Sequence, residues 1–181
     1  MKPILNGFLS VICAVLAACS SGSLFPPEIT KDVAKPGFGV LQAKTDVFSG
    51  RVVQLAGRII GVEESANGAM ILAQELPVVK HPVFGPKEST QIDKPVSSFF
   101  VSYQGKVDPK ALWFGNKFIV VGVAEGQRTL AIDGIPRTKP YLVARCMHVW
   151  KTGGYGSYGI DDFPYTQDGY YPLEHQTYCA G

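Results

Sequence analysis

Runs of β-branched and aromatic residues recur between turn signals in this 181-residue chain. The first run is long and carries two internal glycines, Gly57 and Gly61, which inside a strand mark a bulge or a bend where a sheet curls. Beyond residue 44 the helix signal is one turn at Asp108-Pro109, a capping residue followed by proline at the first helical position. Together these predict an all-β fold, a small five-stranded OB-like barrel with a short helical turn between strands 3 and 4. A flexible N-terminal tether and a Tyr/Gly-rich C-terminal tail flank it. The expected divisions are a signal peptide over 1–18, a lipidated N-terminus and tether over 19–44, the barrel over 45–151 and the tail over 152–181.

The apolar run Ile4 to Val15 is too short to cross a bilayer, which takes roughly 20 residues, and fits the h-region of a signal peptide. Lys2 supplies the positive n-region, and Ala17-Ala18 the small residues a signal peptidase accepts. Leu16-Ala17-Ala18-Cys19 resembles a bacterial lipobox, in which cleavage leaves Cys19 at the amino terminus. The resemblance implies a thioether-linked diacylglycerol on Cys19 and, in many bacteria, an N-acyl chain. One acyl chain binds marginally, on the order of 10⁴ M⁻¹, whereas two or three hold a protein almost permanently. Ser20 follows the cysteine, where an Asp would argue for inner-membrane retention. The expected location is therefore the outer membrane, lipid-anchored and facing the periplasm, with outer-membrane lipid as the partner of Cys19.

From Ser20 to about Lys44, Ser20-Ser21-Gly22-Ser23, Pro26-Pro27 and Pro36-Gly37 punctuate a segment expected to stay out of regular structure. The first strand reads from Val52 to Val62. Asn67-Gly68 is expected to supply the positive φ angles of a tight hairpin, with the second strand from Ala69 to Leu76. Pro77, Pro82, Pro86 and Pro95 then predict a long loop. A third strand covers Ser98 to Tyr103, the helical turn follows at Asp108 to Leu112, and a buried fourth strand covers Lys117 to Glu125. After a loop holding Asp133-Gly134, the fifth runs from Pro140 to Trp150. Along it, Tyr141, Val143, Arg145 and Val149 are expected on one face and Leu142, Ala144 and Trp150 on the other. No amphipathic helix of useful length is legible in the mature chain.

Charged residues make up 18% of the chain and the net charge is +2. That near-neutrality supplies no field to concentrate nucleic acid, and Phe99, Phe100 and Tyr103 lie without the basic stripe a single-strand groove needs. No nucleic-acid partner is expected. Besides Cys19 the mature chain holds Cys146 and Cys179, in an oxidising compartment if exported. A bridge between them would tie the tail to the barrel. A buried Cys146 with a loose terminal thiol is equally open, because spacing cannot show that two sulfurs meet.

Catalytic signals are sparse. His81, His148 and His175 are scattered; Cys146-x-His148 puts a sulfur and an imidazole on one face of a strand, but a metal site needs three or four ligands. Gly156-Ser157-Tyr158-Gly159 sits in the tail and is no nucleophile elbow. Glu63-Glu64 and Asp161-Asp162 read as solvated turns, since adjacency does not make a converging catalytic pair. A phosphate loop is absent. The expectation is a non-enzyme without metal or cofactor, apart from the lipid on Cys19. The tail aromatics Tyr155, Tyr158, Phe163 and Tyr165 form a candidate ligand surface for a glycan or peptidoglycan strand; packing of these rings on the barrel or at headgroups is the other reading.

Taken in order, several segments resemble the Slp family of outer-membrane lipoproteins. They are Cys19, the strand Gly50 to Ile60, Glu75-Leu76-Pro77, Asp108-Pro109, Gly115 to Gly122, the closing strand to Val149-Trp150, and the Tyr/Gly-rich tail. The resemblance implies a lipoprotein associated with starvation or stress, without an established activity, cofactor or ligand. Cys146 and Cys179 are outside the matched pattern. Another envelope protein or peptidoglycan is the further partner expected. The alternatives are a periplasmic glycan-binding OB module and a cell-envelope hydrolase.

Overall fold

The structure, a computed structural model, describes residues 23–78, 80–81, 85–87, 97–152 and 174–180. Leu16, Ala17, Ala18 and Cys19, and the tail residues Tyr155, Tyr158, Phe163 and Tyr165, lie outside the described residues.

The strands are β1 (Val52–Ser65), β2 (Gly68–Leu76), β3 (Lys80–His81), β4 (Gly85–Pro86), β5 (Ser98–Gln104), β6 (Lys117–Ile132), β7 (Ile135–Trp150) and β8 (His175–Cys179). Antiparallel pairing links β5 to β2, β2 to β1, β1 to β6 and β6 to β7. Parallel pairing of β5 with β7, through Phe100↔Tyr141, Val101↔Leu142 and Ser102↔Val143, closes a ring of five strands. This is the all-β barrel the sequence pattern predicts. Strand β6 occupies one edge of β7 throughout, so β8 takes the edge that β5 leaves, from Cys146↔Cys179 to Trp150↔His175.

Closure depends on β1 serving two neighbours. Its first half pairs with β6 (Val52↔Val123 to Arg58↔Lys117) and its second half with β2 (Ala56↔Leu76 to Ser65↔Gly68). The register shifts between Ile59 and Gly61, the bulge that the internal glycines predict. At Gly57 a Cβ would sit 3.0 Å from both the Ala73 Cβ and the Gln74 carbonyl oxygen, so any larger residue would press its neighbours aside by a few tenths of an ångström.

The turns divide differently from expectation. Ala66-Asn67 link β1 to β2 in two residues, and neither Asn67 nor Gly68 has a positive φ. Gly68 is required instead because a Cβ there would collide with the Tyr103 carbonyl of the neighbouring β5. Asp133 and Gly134 are the pair with φ of 55° and 73°, the left-handed pair of a tight hairpin turn. That turn joins β6 and β7, which both run well past the expected limits. Gly126, at φ 72° beside the register shift between Ala124 and Gln127, interrupts the alternation that would have revealed the extension.

The interior is filled by Leu55, Ile59, Phe99, Phe118, Val120 and Leu142, all at 2% exposure or less, with the Phe99 and Phe118 rings edge-on at 6.2 Å. Val149 belongs to this core with Leu142 and Ala144, which corrects the expected faces of β7. Between Gly122↔Ala144 and Val121↔Cys146 the extra residue is Arg145. One extra residue flips every side chain after it. Outside the ring, the β6–β7 arm curls back so that Ile132 clusters with Leu72, Phe100 and Tyr141.

The expected tether over 19–44 is corrected for its described part. Pro27 opens α1 (Pro27–Thr30), Gly37 precedes α2 (Phe38–Ala43), and α3 (Thr45–Phe48) follows. Phe25 is 3% exposed and clusters with Ala56, Leu76, Ile119, Val121 and Trp150 on the outer face of the sheet. Ala34 forms a parallel bridge with Val53. Phe38 and Leu41 then enter the main core, the Phe38 ring 5.6 Å from that of Phe99. The prolines and glycines do break the segment into short pieces. They do not free it, because each piece carries an apolar residue to bury.

Leu41→Ala is expected to cost about 2–5 kcal/mol, as for a buried leucine in a core, in urea unfolding of the mature protein. A tether residue would show no change.

Candidate functional site

The described residues of functional interest gather where β1, β5 and β7 end and β6 and β8 begin. Asp108 caps a 3₁₀ turn over Pro109–Leu112, its side chain accepting from the Lys110 N–H at 3.0 Å. The Lys151 ammonium, just beyond β7, donates to Asp108 Oδ2 at 2.6 Å and to Glu174 Oε1 at 2.7 Å, while its backbone N–H reaches the Glu174 carbonyl at 2.9 Å. One lysine thus ties the 3₁₀ turn to the start of β8. The Lys151 hydrogen bond, then the Lys110 N–H, holds Asp108 below the usual carboxylate range. Hydrogen bonds from Asp108 and then Glu174 push Lys151 above the usual lysine range. Burial raises the phenol of Tyr178, which donates to Gln176 Oε1 at 3.1 Å.

On the outer face of β7 the structure joins Cys146 and Cys179 in a disulfide across 33 residues of sequence. The pair are direct neighbours in the β7–β8 register, an arrangement visible only once β8 is seen to exist. Next along, His148 Nδ1 lies 2.6 Å from Thr177 Oγ1, and Thr177 Oγ1 donates to the Leu24 carbonyl at 3.0 Å. The His148 ring centroid is 4.4 Å from that of Trp150 and 5.0 Å from that of His175. Pairing of Trp150 with His175 brings these two histidines together, a meeting that sequence distance hides. Cys146 is committed to sulfur, and among the described residues no group of three or more His, Cys, Asp or Glu is arranged to hold a metal. The backbone of His81 is in β3, in a separate two-stranded sheet, opposite the Gly85 that packs on the Trp150 indole.

At the β1–β2 turn an open groove of about 500 Å³ is lined by Glu63, Glu64, Ser65, Met70, Ser102 and Gln104, among others. Glu63 and Glu64 are successive residues of one strand, so their carboxylates leave opposite faces and do not converge as an acid–base pair must. The Tyr103 side chain belongs to the main core, where desolvation, then the neighbouring Tyr178, raises its phenol. The aromatic step Trp113-Phe114, between the 3₁₀ turn and β6, is 57% and 66% exposed; it escaped the sequence reading because apolar residues in a short loop have no periodicity to betray them.

The sequence model of the outer membrane lipoprotein Slp family matches residues 16–178. The chain belongs to the Slp family of outer membrane lipoproteins. The match takes in Leu16 to Cys19 and every described strand of the Slp-family barrel, β8 as far as Tyr178. Among curated proteins no relative matches. Among solved structures, Schizosaccharomyces pombe Pot1pC bound to ssDNA is similar at 12% identity and a TM-score of 0.27, over 52% of this chain and 70% of that one.

Three outcomes are expected for this Slp-family chain. Replacing Cys146 and Cys179 together by alanine should lower stability by about 3–4 kcal/mol, the cost of freeing a loop of this length. Thiol titration of the denatured mature protein should meanwhile find neither sulfur reactive until a reductant is added. For the ion pair, the lowered Asp108 pKa contributes stability above the ordinary carboxylate pKa of about 4, lost as pH falls through the lowered value. Lys151, being raised, keeps its share until pH climbs through its own folded-state pKa. Asp108→Asn, which retains a good cap, should therefore flatten the acid limb of the stability–pH curve; an unchanged limb would show that the pair contributes nothing.

Proposed function

We propose that this outer-membrane lipoprotein is held by acyl chains on Cys19 and serves as a non-enzymatic, periplasm-facing envelope component in starvation or stress. The observation that carries the reading is the route of the N-terminal segment. Leu24 and Phe25 are bound to the barrel, through the Thr177 hydrogen bond and the cluster around Trp150, only five and six residues after Cys19. An acylated Cys19 therefore mounts the barrel directly on its membrane. The absence of a catalytic role is supported by the interior, packed with apolar side chains such as Phe99, Phe118 and Met147 at 0% exposure, which leaves the outer surface and loops as the working parts. The link to stress rests on the family resemblance alone.

Intact-mass measurement of membrane-extracted protein should give a chain that begins at Cys19 and carries acyl mass. A Cys19→Ala protein, exported by a signal that another peptidase cuts, should fold and appear in the soluble periplasmic fraction. Partition of that variant with membranes would show that something other than the acyl chains holds it.

A further inference from the structure

We propose that Trp113 and Phe114 form a second membrane contact, resting in the headgroup region of the leaflet that holds the Cys19 lipid, so that the barrel lies against the bilayer. The proposal rests on the Cys19 reading above. Both rings are more than half exposed, yet the loop beneath them is held from every side. Asn116 Nδ2 donates to the carbonyls of Lys110 at 2.8 Å and Ala111 at 3.1 Å, and the Asn116 N–H to that of Trp113 at 3.2 Å. The Gly115 N–H reaches the Ile59 carbonyl at 2.9 Å, and Thr152 Oγ1 donates to the Gly115 carbonyl at 2.8 Å. Gly115 itself sits at φ 87°, where a side chain would be strained. Ala111 and Leu112 are buried just before the step. A firm mount that turns two large rings to solvent is a presented surface; the amphipathic indole of Trp113 favours the headgroup level of a membrane and the apolar ring of Phe114 the acyl boundary just beneath it. Lys106 and Lys110, both exposed, flank it with stems that can lie along apolar surface and heads that stay wet.

The anchor says which surface meets the lipid. Val40 and Val47 are also exposed, but they belong to α2 and α3, at the opposite end of the barrel where Gly50 bonds Ala124. The N-terminal segment starts at the Trp113 end, with Leu24 beside Thr177 and His148, and reaches the other end only after Ala34 meets Val53. From His148 to Thr152, which bonds the Trp113 loop at Gly115, is four residues, two in β7 and two just beyond it, so at most about 13 Å. Cys19 precedes Leu24 by five residues, so its lipid lies at most about 18 Å from Leu24. A full tether to residue 44 would have allowed about 90 Å. So short a leash gives the aromatic step an effective concentration at the membrane in the millimolar range, where a weak interfacial contact is sufficient.

The chain has two tryptophans, and Trp150 is 1% exposed beneath Gly85 and the Phe25 cluster. The lipidated full chain is therefore incorporated in phosphatidylcholine vesicles, whose zero net charge removes electrostatic attraction, with and without bromine on the acyl carbons nearest the glycerol. The expected result is flotation with the vesicles and bromine quenching of the emission from exposed Trp113, leaving that of buried Trp150. A Trp113→Tyr chain should float equally and lose nearly all of that quenching. Flotation without quenching, or quenching as strong in Trp113→Tyr, overturns the membrane contact and leaves the anchor intact. Failure of the unaltered lipidated chain to float overturns the anchor reading and this contact with it.

Discussion

Three residue pairs between β5 and β7 decide whether this chain is a barrel or an open sheet. Without that parallel pairing, β5 and the first half of β7 would expose rows of unpaired backbone groups, a hazard that closure removes. The pairing is non-local and can form only if the sheet has already curled. The curl comes from β1, whose bulge between Ile59 and Gly61 and whose tight passage at Gly57 let one strand serve β6 with its first half and β2 with its second. The interior and the edge left for β8 follow from that closure.

Closure leaves an apolar outer face as well as an apolar core, and the chain covers that face from both termini. Phe25 and its neighbours lie over Ala56, Ile119 and Trp150, and β8 completes the edge of β7, held by the disulfide and by Lys151. The hairpin of β3 and β4 brings Gly85 so close to the Trp150 indole that a Cβ would stand 2.6 Å from it. Under the proposed attachment at Cys19, anchor and structural cover belong to the same segment, five residues apart.

The strand interiors were legible because alternating burial is written directly into residue order. Val52 to Val62, Ala69 to Leu76 and Ser98 to Tyr103 all fall within observed strands, and Asp108-Pro109 caps its turn as its chemistry requires. What escaped was local pattern broken by a single residue. Gly126 hid the arm of β6 and β7, and Arg145 hid the face change that sends Val149 inward. Gly68 was legible as a required glycine, but the reason lay in a neighbouring strand. In the N-terminal segment the breakers Pro26-Pro27 and Pro36-Gly37 outweighed Phe25, Phe38 and Leu41, although Phe38 and Leu41 already stand at helical spacing.

By itself the sequence determined the all-β class, the chain order of the five ring strands and the family, because each is carried by residues adjacent or periodic along the chain. Tertiary structure alone decided that β5 meets β7, that Cys146 faces Cys179, that Lys151 reaches both Asp108 and Glu174, and that residues 24–41 belong to the barrel. These are meetings between residues far apart in the chain, selected by which apolar surfaces remain to be covered once the ring is closed, and no local pattern encodes that remainder.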